Sequence, residues 1–145
     1  MKKLLSIAAS GLLMFTSCKK DNDDEETASI VGTWKLNKTE LKFGNGTTTS
    51  VTPNSCEAQT SFTFSNDGKA TSKVYSKAGT SCVSDTYIGT YSYDSNKKLL
   101  TVTESGSTEV FEVANLTNTE FVILSDSDDY DDDGKTDKTY MHFMR

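Results

Sequence analysis

Imidazole, guanidinium and basic surface are scarce in this sequence, and each scarcity excludes something. His142 is the only histidine and Arg145 the only arginine. A general base needs a nucleophile within hydrogen-bond reach and a third group to orient it. No Gly-x-Ser-x-Gly elbow, Walker loop, His-Glu-x-x-His or Cys-x-x-Cys accompanies the lone imidazole. The glutamates at 40, 104, 109, 112 and 120 show no glycosidase-like pattern. A non-enzyme is expected. Fifteen basic residues face 21 acidic ones, a formal charge of −6, which argues against a nucleic-acid partner. The 145 residues suit one domain. Nothing specifies an oligomeric state.

Long apolar runs are also missing. The longest, Leu4 to Phe15, is too short to cross about 30 Å of hydrocarbon as a helix, which takes about 20 residues. Lys2 and Lys3 precede it and the small residues Thr16 and Ser17 follow, the pattern of a secretory signal peptide over residues 1–17. Cys18 comes next, and the whole resembles a bacterial lipobox, although Phe15 stands where leucine is usual. That resemblance implies cleavage before Cys18, acylation of its thiol (palmitate) and a membrane partner through the anchor. The alternative is an ordinary signal peptide that retains Cys18. Residues 18–28 then form a lipidated cysteine and an acidic tether, Lys19 to Glu26 reading KKDNDDEE with no periodicity. Lys20, Asp21, Asp23 and Asp24 resemble the export signal of Bacteroidetes surface lipoproteins, which implies an outer-membrane protein facing the cell exterior rather than the periplasm.

The remaining segment, residues 29–145, lacks any long stretch of helical period. It alternates with period two between turn signals and is rich in Thr, Tyr, Phe and Val. Phe62 and Phe64 alternate with Ser61, Thr63 and Ser65, and Asn66-Asp67-Gly68 then marks a hairpin. The turns predict eight strands, near 30–43, 58–65, 69–77, 83–93, 98–103, 107–115, 119–125 and 138–144. Eight short strands in meander order must hide two edges, and an up-and-down antiparallel β-barrel hides both. A β-sandwich is the alternative.

The Gly32-Thr33-Trp34 sequence on the first strand, directly after the tether, resembles the lipocalin-like domain of Bacteroidetes lipoproteins. Cys56 before the second strand, Cys82 before the fourth and the Asp67-Gly68 turn support the likeness. The resemblance implies a small apolar ligand inside the barrel. Expected inward residues are Trp34, Leu36, Phe62, Phe64, Val74, Tyr87, Tyr91, Val110 and Val122. Eight strands enclose a space just wide enough to be filled by side chains or to hold one small ligand. An apolar interior cavity of about 300 Å³ or more favours carriage. A smaller one favours a filled barrel acting as a surface structural or interaction protein.

Three further expectations concern single sites. An exported chain whose Cys18 is lipidated has two cysteines left, and Cys56 and Cys82 are expected to form a disulfide. The last strand of a meander barrel returns antiparallel beside the first, which carries Arg145 to Trp34; lipocalins close the barrel base with such a pair. Finally, Asp129-x-Asp131-x-Asp133-Gly134-Lys135-x-Asp137 has the order of an EF-hand-type Ca²⁺ loop, with Asp129, Asp131, Asp133, the Lys135 carbonyl and Asp137 as ligands. Tyr140 stands where the bidentate Glu belongs, so weak binding is expected. The alternatives are a solvated acidic loop and no cofactor.

Overall fold

A computed structural model describes residues 27–145. The signal peptide (residues 1–17), Cys18 and most of the tether lie outside the described residues. Nine strands follow in order: β1 (Gly32–Lys42), β2 (Thr48–Val51), β3 (Ser61–Phe64), β4 (Lys69–Ala78), β5 (Ser81–Asp94), β6 (Leu99–Glu104), β7 (Ser107–Leu116), β8 (Glu120–Asp128) and β9 (Asp137–Met144). From β3 to β9 each strand pairs with the next, all antiparallel. The first strand closes the ring: its start pairs with β3 (Gly32↔Phe64) and its length with β9 (Lys35↔Met144 to Lys42↔Lys138). The result is an eight-stranded antiparallel closed barrel rather than a sandwich.

The ninth strand, β2, folds back on the outer half of β1 from Thr39↔Val51 to Lys42↔Thr48. Its four residues are exposed, so no hydrophobic pattern marks it in the sequence. The expected strand start at residue 58 is also corrected. Glu57–Gln59 is a turn of 3₁₀-helix, and pairing begins at Ser61. The Asn54 side-chain oxygen makes that turn by accepting the Cys56 and Glu57 N–H groups at 2.9 and 3.0 Å.

One end of the barrel is packed solid. Trp34, Phe64, Leu100, Val113, Phe121, Ile123 and Phe143 are buried there. Phe121 meets Trp34, Phe64 and Phe143 with ring centroids 5.6–6.0 Å apart. Full burial of one such side chain contributes about 1.5–3 kcal/mol. Two expected inward residues are corrected. Val110 faces solvent, 59% exposed, because its neighbour Phe111 packs on the core and alternation sends Val110 outward. Val122 is buried but lies outside the core, opposite His142. The run Phe121-Val122-Ile123-Leu124 carries no phase of its own, and the Phe121↔Phe143 register sets it.

The other end is drawn out into a ribbon. β3 stops pairing with β4 at Ser61↔Lys73, and β6 stops pairing with β5 at Gly89↔Glu104. Among the described residues, the β4–β5 hairpin from Val74 to Ile88 therefore has no strand partner beyond itself. Three ties hold it: the Cys56–Cys82 disulfide, with Cα atoms 5.3 Å apart, the Tyr75 N–H donating to Thr60 Oγ1 at 3.0 Å, and Gln59 Nε2 donating to Cys82 Sγ at 3.6 Å. Val74 and Tyr87 sit near the root of this ribbon. They are 40% and 46% exposed rather than enclosed.

Candidate binding site at the barrel mouth

The closed end is sealed by Arg145. Its guanidinium carbon lies 4.2 Å from the Trp34 ring centroid. Its Nε donates to the Asn118 carbonyl at 2.6 Å and its Nη1 to the Val31 carbonyl at 2.8 Å. Beneath it the Trp34 indole donates to the Ile30 carbonyl at 2.7 Å. The void left among Phe62, Phe64, Leu100, Val102, Phe111, Phe121 and Ile123 is only about 30 Å³. One water fits such a space; a ligand does not. Of the two alternatives, a hollow or a filled barrel, the base takes the second among the described residues, because aromatic side chains from β1, β3, β7, β8 and β9 fill its taper.

The mouth is different. A cleft of about 250 Å³ opens between Phe62, Val74, Tyr87, Val102 and Phe111, with Ser72, Glu104 and Glu109 as its polar groups. A second depression of similar size adjoins it, sharing Tyr87, Val102, Glu104 and Glu109 and adding Ser105 and Ser107. A larger hollow of about 460 Å³ lies at the β1–β9 seam, but mostly exposed residues such as Lys35, Asn37 and Met144 line it. The mouth cleft combines apolar walls with a few convergent polar groups, which is the make-up of a small-molecule site.

Register explains how the polar groups reach it. Val102 and Glu104 share one face of β6, and Glu109 on β7 stands opposite Val102. Gly89 on β5 lies opposite Glu104. A Cβ at Gly89 would collide with the Thr103 carbonyl and stand 2.7 Å from Glu104 Cγ. Glycine there lets the Glu104 side chain lie across the sheet to Ser72 on β4, whose buried hydroxyl donates to Oε1 at 2.8 Å. Deeper in the barrel, burial raises Tyr91 and Tyr93 above their ordinary pKa, keeping both phenols neutral. Tyr91 donates to the Ser65 carbonyl at 3.0 Å. The sequence named Val74 and Tyr87 but missed Glu104 and Glu109. Alternation out from Val102 and Phe111 could have found both.

The acidic loop between β8 and β9 is shorter than expected, since the strands run to Asp128 and resume at Asp137. Oxygens of Asp129, Asp131 and Asp137 lie within 4.8 Å of one another, a set able to chelate a divalent ion. Asp133 lies outside that set. Its carboxylate turns to Lys135, accepting that residue's N–H at 2.9 Å and facing its ammonium at 3.6 Å. Asp137 is fully buried and accepts the Gly44 and Tyr130 N–H groups, each at 2.8 Å. Partial loss of solvent, then the charge of Asp133, raises the Asp131 carboxyl above its usual pKa. His142 faces outward near Glu120 and Glu40, with N–O distances of 3.3 and 3.9 Å.

A closed meander barrel, plugged at one end by an Arg–Trp pair and open at the other, defines a class of binding proteins. The chain belongs to the lipocalin-like domain family, whose model matches residues 30–123. Lipocalin-fold proteins are a non-catalytic transport and binding superfamily. Among solved structures, the chain is similar to a lipocalin-like protein from Bacteroides uniformis (15% identity, 79% of this chain and 96% of that one, TM-score 0.50). It is also similar to a bovine odorant-binding protein (15% identity, 79% and 72% coverage, TM-score 0.41) and to aphrodisin, a sex pheromone from female hamster (12%, 81% and 75%, TM-score 0.41). No curated protein sequence matches.

Proposed function

We propose that this protein is an outer-membrane lipoprotein, anchored through Cys18 and displayed at the cell surface by the tether of residues 18–28, whose barrel binds a small, largely apolar molecule. The ligand occupies the mouth cleft rather than a deep calyx. The observation that carries the reading is the mouth itself: Phe62, Val74, Tyr87, Val102 and Phe111 line open space above a filled base. Native mass spectrometry of delipidated, cell-derived protein tests it. A co-purifying small molecule that is lost in Tyr87→Ala is expected. An empty wild-type barrel instead supports the structural or interaction reading. Anchoring is supported by the residue pattern from Met1 to Cys18. Cys18→Ser should abolish palmitate labelling, and whole cells should expose the protein to added protease.

A second reading concerns the acidic loop. Asp129, Asp131 and Asp137, with the Lys135 carbonyl, bind Ca²⁺ weakly, with a Kd on the order of 10⁻⁴–10⁻³ M. The proximity of three carboxylates supports it. Calorimetry at millimolar Ca²⁺ should show heat that Asp131→Ala removes; no heat ends the idea.

A further inference from the structure

We infer that the ligand of the mouth cleft is an organic cation, a small amine with an aromatic or aliphatic body. The inference rests on the mouth-cleft reading and adds the ligand's charge class. Glu104 and Glu109 both line the cleft, on adjacent strands and offset by two residues. Diagonal neighbours of this kind lie about 7–8 Å apart, so the two charges act on one another and on whatever enters between them. None of the residues lining the cleft or its adjoining depression is basic. The salt bridges of the described residues involve other carboxylates, so neither glutamate has an ion-pair partner there.

The arrangement around Glu104 is built rather than incidental. Gly89 clears the path of its side chain, and the buried Ser72 hydroxyl holds one carboxylate oxygen. That leaves the carboxylate half-buried beside apolar walls, where a charge interacts more strongly than in bulk water. An anion entering this cleft would meet two like charges. A neutral apolar ligand would cover the Glu104 carboxylate and leave it one hydroxyl hydrogen bond but no counter-charge, which is costly. An ammonium group offers each glutamate a charge-assisted hydrogen bond. Tyr87, Phe62 and Phe111 then supply ring faces for its body or for the cation itself. The formal charge of −6 also draws cations toward the molecule.

The test uses three ligands of nearly equal size that differ in terminal charge: tryptamine, tryptophol and indole-3-acetate. Each is titrated by NMR into the chain purified from cells. Tryptamine is expected to bind about ten-fold more tightly than tryptophol, and indole-3-acetate not to bind. Raising salt from 20 to about 500 mM should weaken tryptamine and leave tryptophol unchanged. Glu104→Gln and Glu109→Gln should each weaken tryptamine several-fold and leave tryptophol no weaker, since the carboxylate that a neutral ligand would cover is gone. Equal affinity for tryptophol, tighter binding of indole-3-acetate, or tryptamine binding indifferent to salt and to both substitutions would overturn the inference. If tryptophol binds as tightly and Tyr87→Ala abolishes it, the mouth-cleft reading stands and the cation inference fails. If no probe binds and native mass spectrometry finds the barrel empty, both fail.

Discussion

Arg145 lies over Trp34, its guanidinium carbon 4.2 Å from the ring centroid, and the two residues join the chain's end to its first strand. The same guanidinium donates to the Val31 and Asn118 carbonyls, so one side chain caps the hydrophobic base and ties three segments. Arg145→Ala should cost about 1–2 kcal/mol, from the lost cation–π contact and the unpaired carbonyls. Arg145→Lys should recover only part of this, since an ammonium lacks the planar fork. Gly32 has φ +133°, and a Cβ there would stand 2.8 Å from Arg145 Nη1, so Gly32→Ala should also destabilise. Urea unfolding of the three variants measures this.

Reduction of the Cys56–Cys82 bond should lower stability by about 3.5 kcal/mol on the chain-entropy model, given a sequence separation of 26. Because the bond also ties down the β4–β5 ribbon, which carries Val74 and Tyr87, reduction should weaken ligand binding before it unfolds the barrel. Paired urea and binding titrations, with and without reductant, separate the two effects.

Asp137→Ala should cost about 2–3 kcal/mol in EDTA, and more in millimolar Ca²⁺, where the wild type alone gains from the ion. It strips two backbone N–H groups, those of Gly44 and Tyr130, of their buried acceptor. Asp131→Ala, on the exposed side of the loop, should change stability little in EDTA. Thermal unfolding in EDTA and in millimolar Ca²⁺ tests both variants.

Glu40 on β1 supplies a pH dependence. The Lys38 hydrogen bond, aided by Lys42, lowers its carboxyl below the ordinary 4.5. A carboxyl whose folded pKa lies below its unfolded value contributes stability that is complete above the unfolded value and lost as pH falls through the folded one. The stability gap between the wild type and Glu40→Gln should therefore be constant above about pH 5.5 and shrink progressively below pH 4.5. Urea midpoints at pH 7, 5 and 3.5 check the sign.

Local pattern made much of the fold legible. Period-two alternation, the Asp67-Gly68 turn and short connections between strands specify hairpins of sequence neighbours. Closure hides the edges of such a meander and brings Arg145 to Trp34, while the return of β4 on β3 brings Cys56 toward Cys82. Those features depend on short-range rules plus one global constraint, and a sequence contains both. The uniformly exposed β2 carried no such signal, and the phase of Phe121-Val122-Ile123-Leu124 waited on its partner strand.

Whether the barrel is hollow was a different kind of question. It depends on how far Phe62, Phe64, Phe121 and Phe143 reach toward one another across the taper, a matter of packing between strands far apart in sequence. The mouth likewise exists because β3 and β6 end before β4 and β5 do. Glu104 points where it does because Gly89, fifteen residues earlier, has no Cβ to block it. The residue pattern alone determined an antiparallel meander of short strands, since alternation and turn chemistry act locally; the β1–β9 pairing then made it a barrel and not a sandwich. Only the tertiary structure decided that its base is full and its open end acidic, because volume and charge at one point are set by residues that meet only after folding.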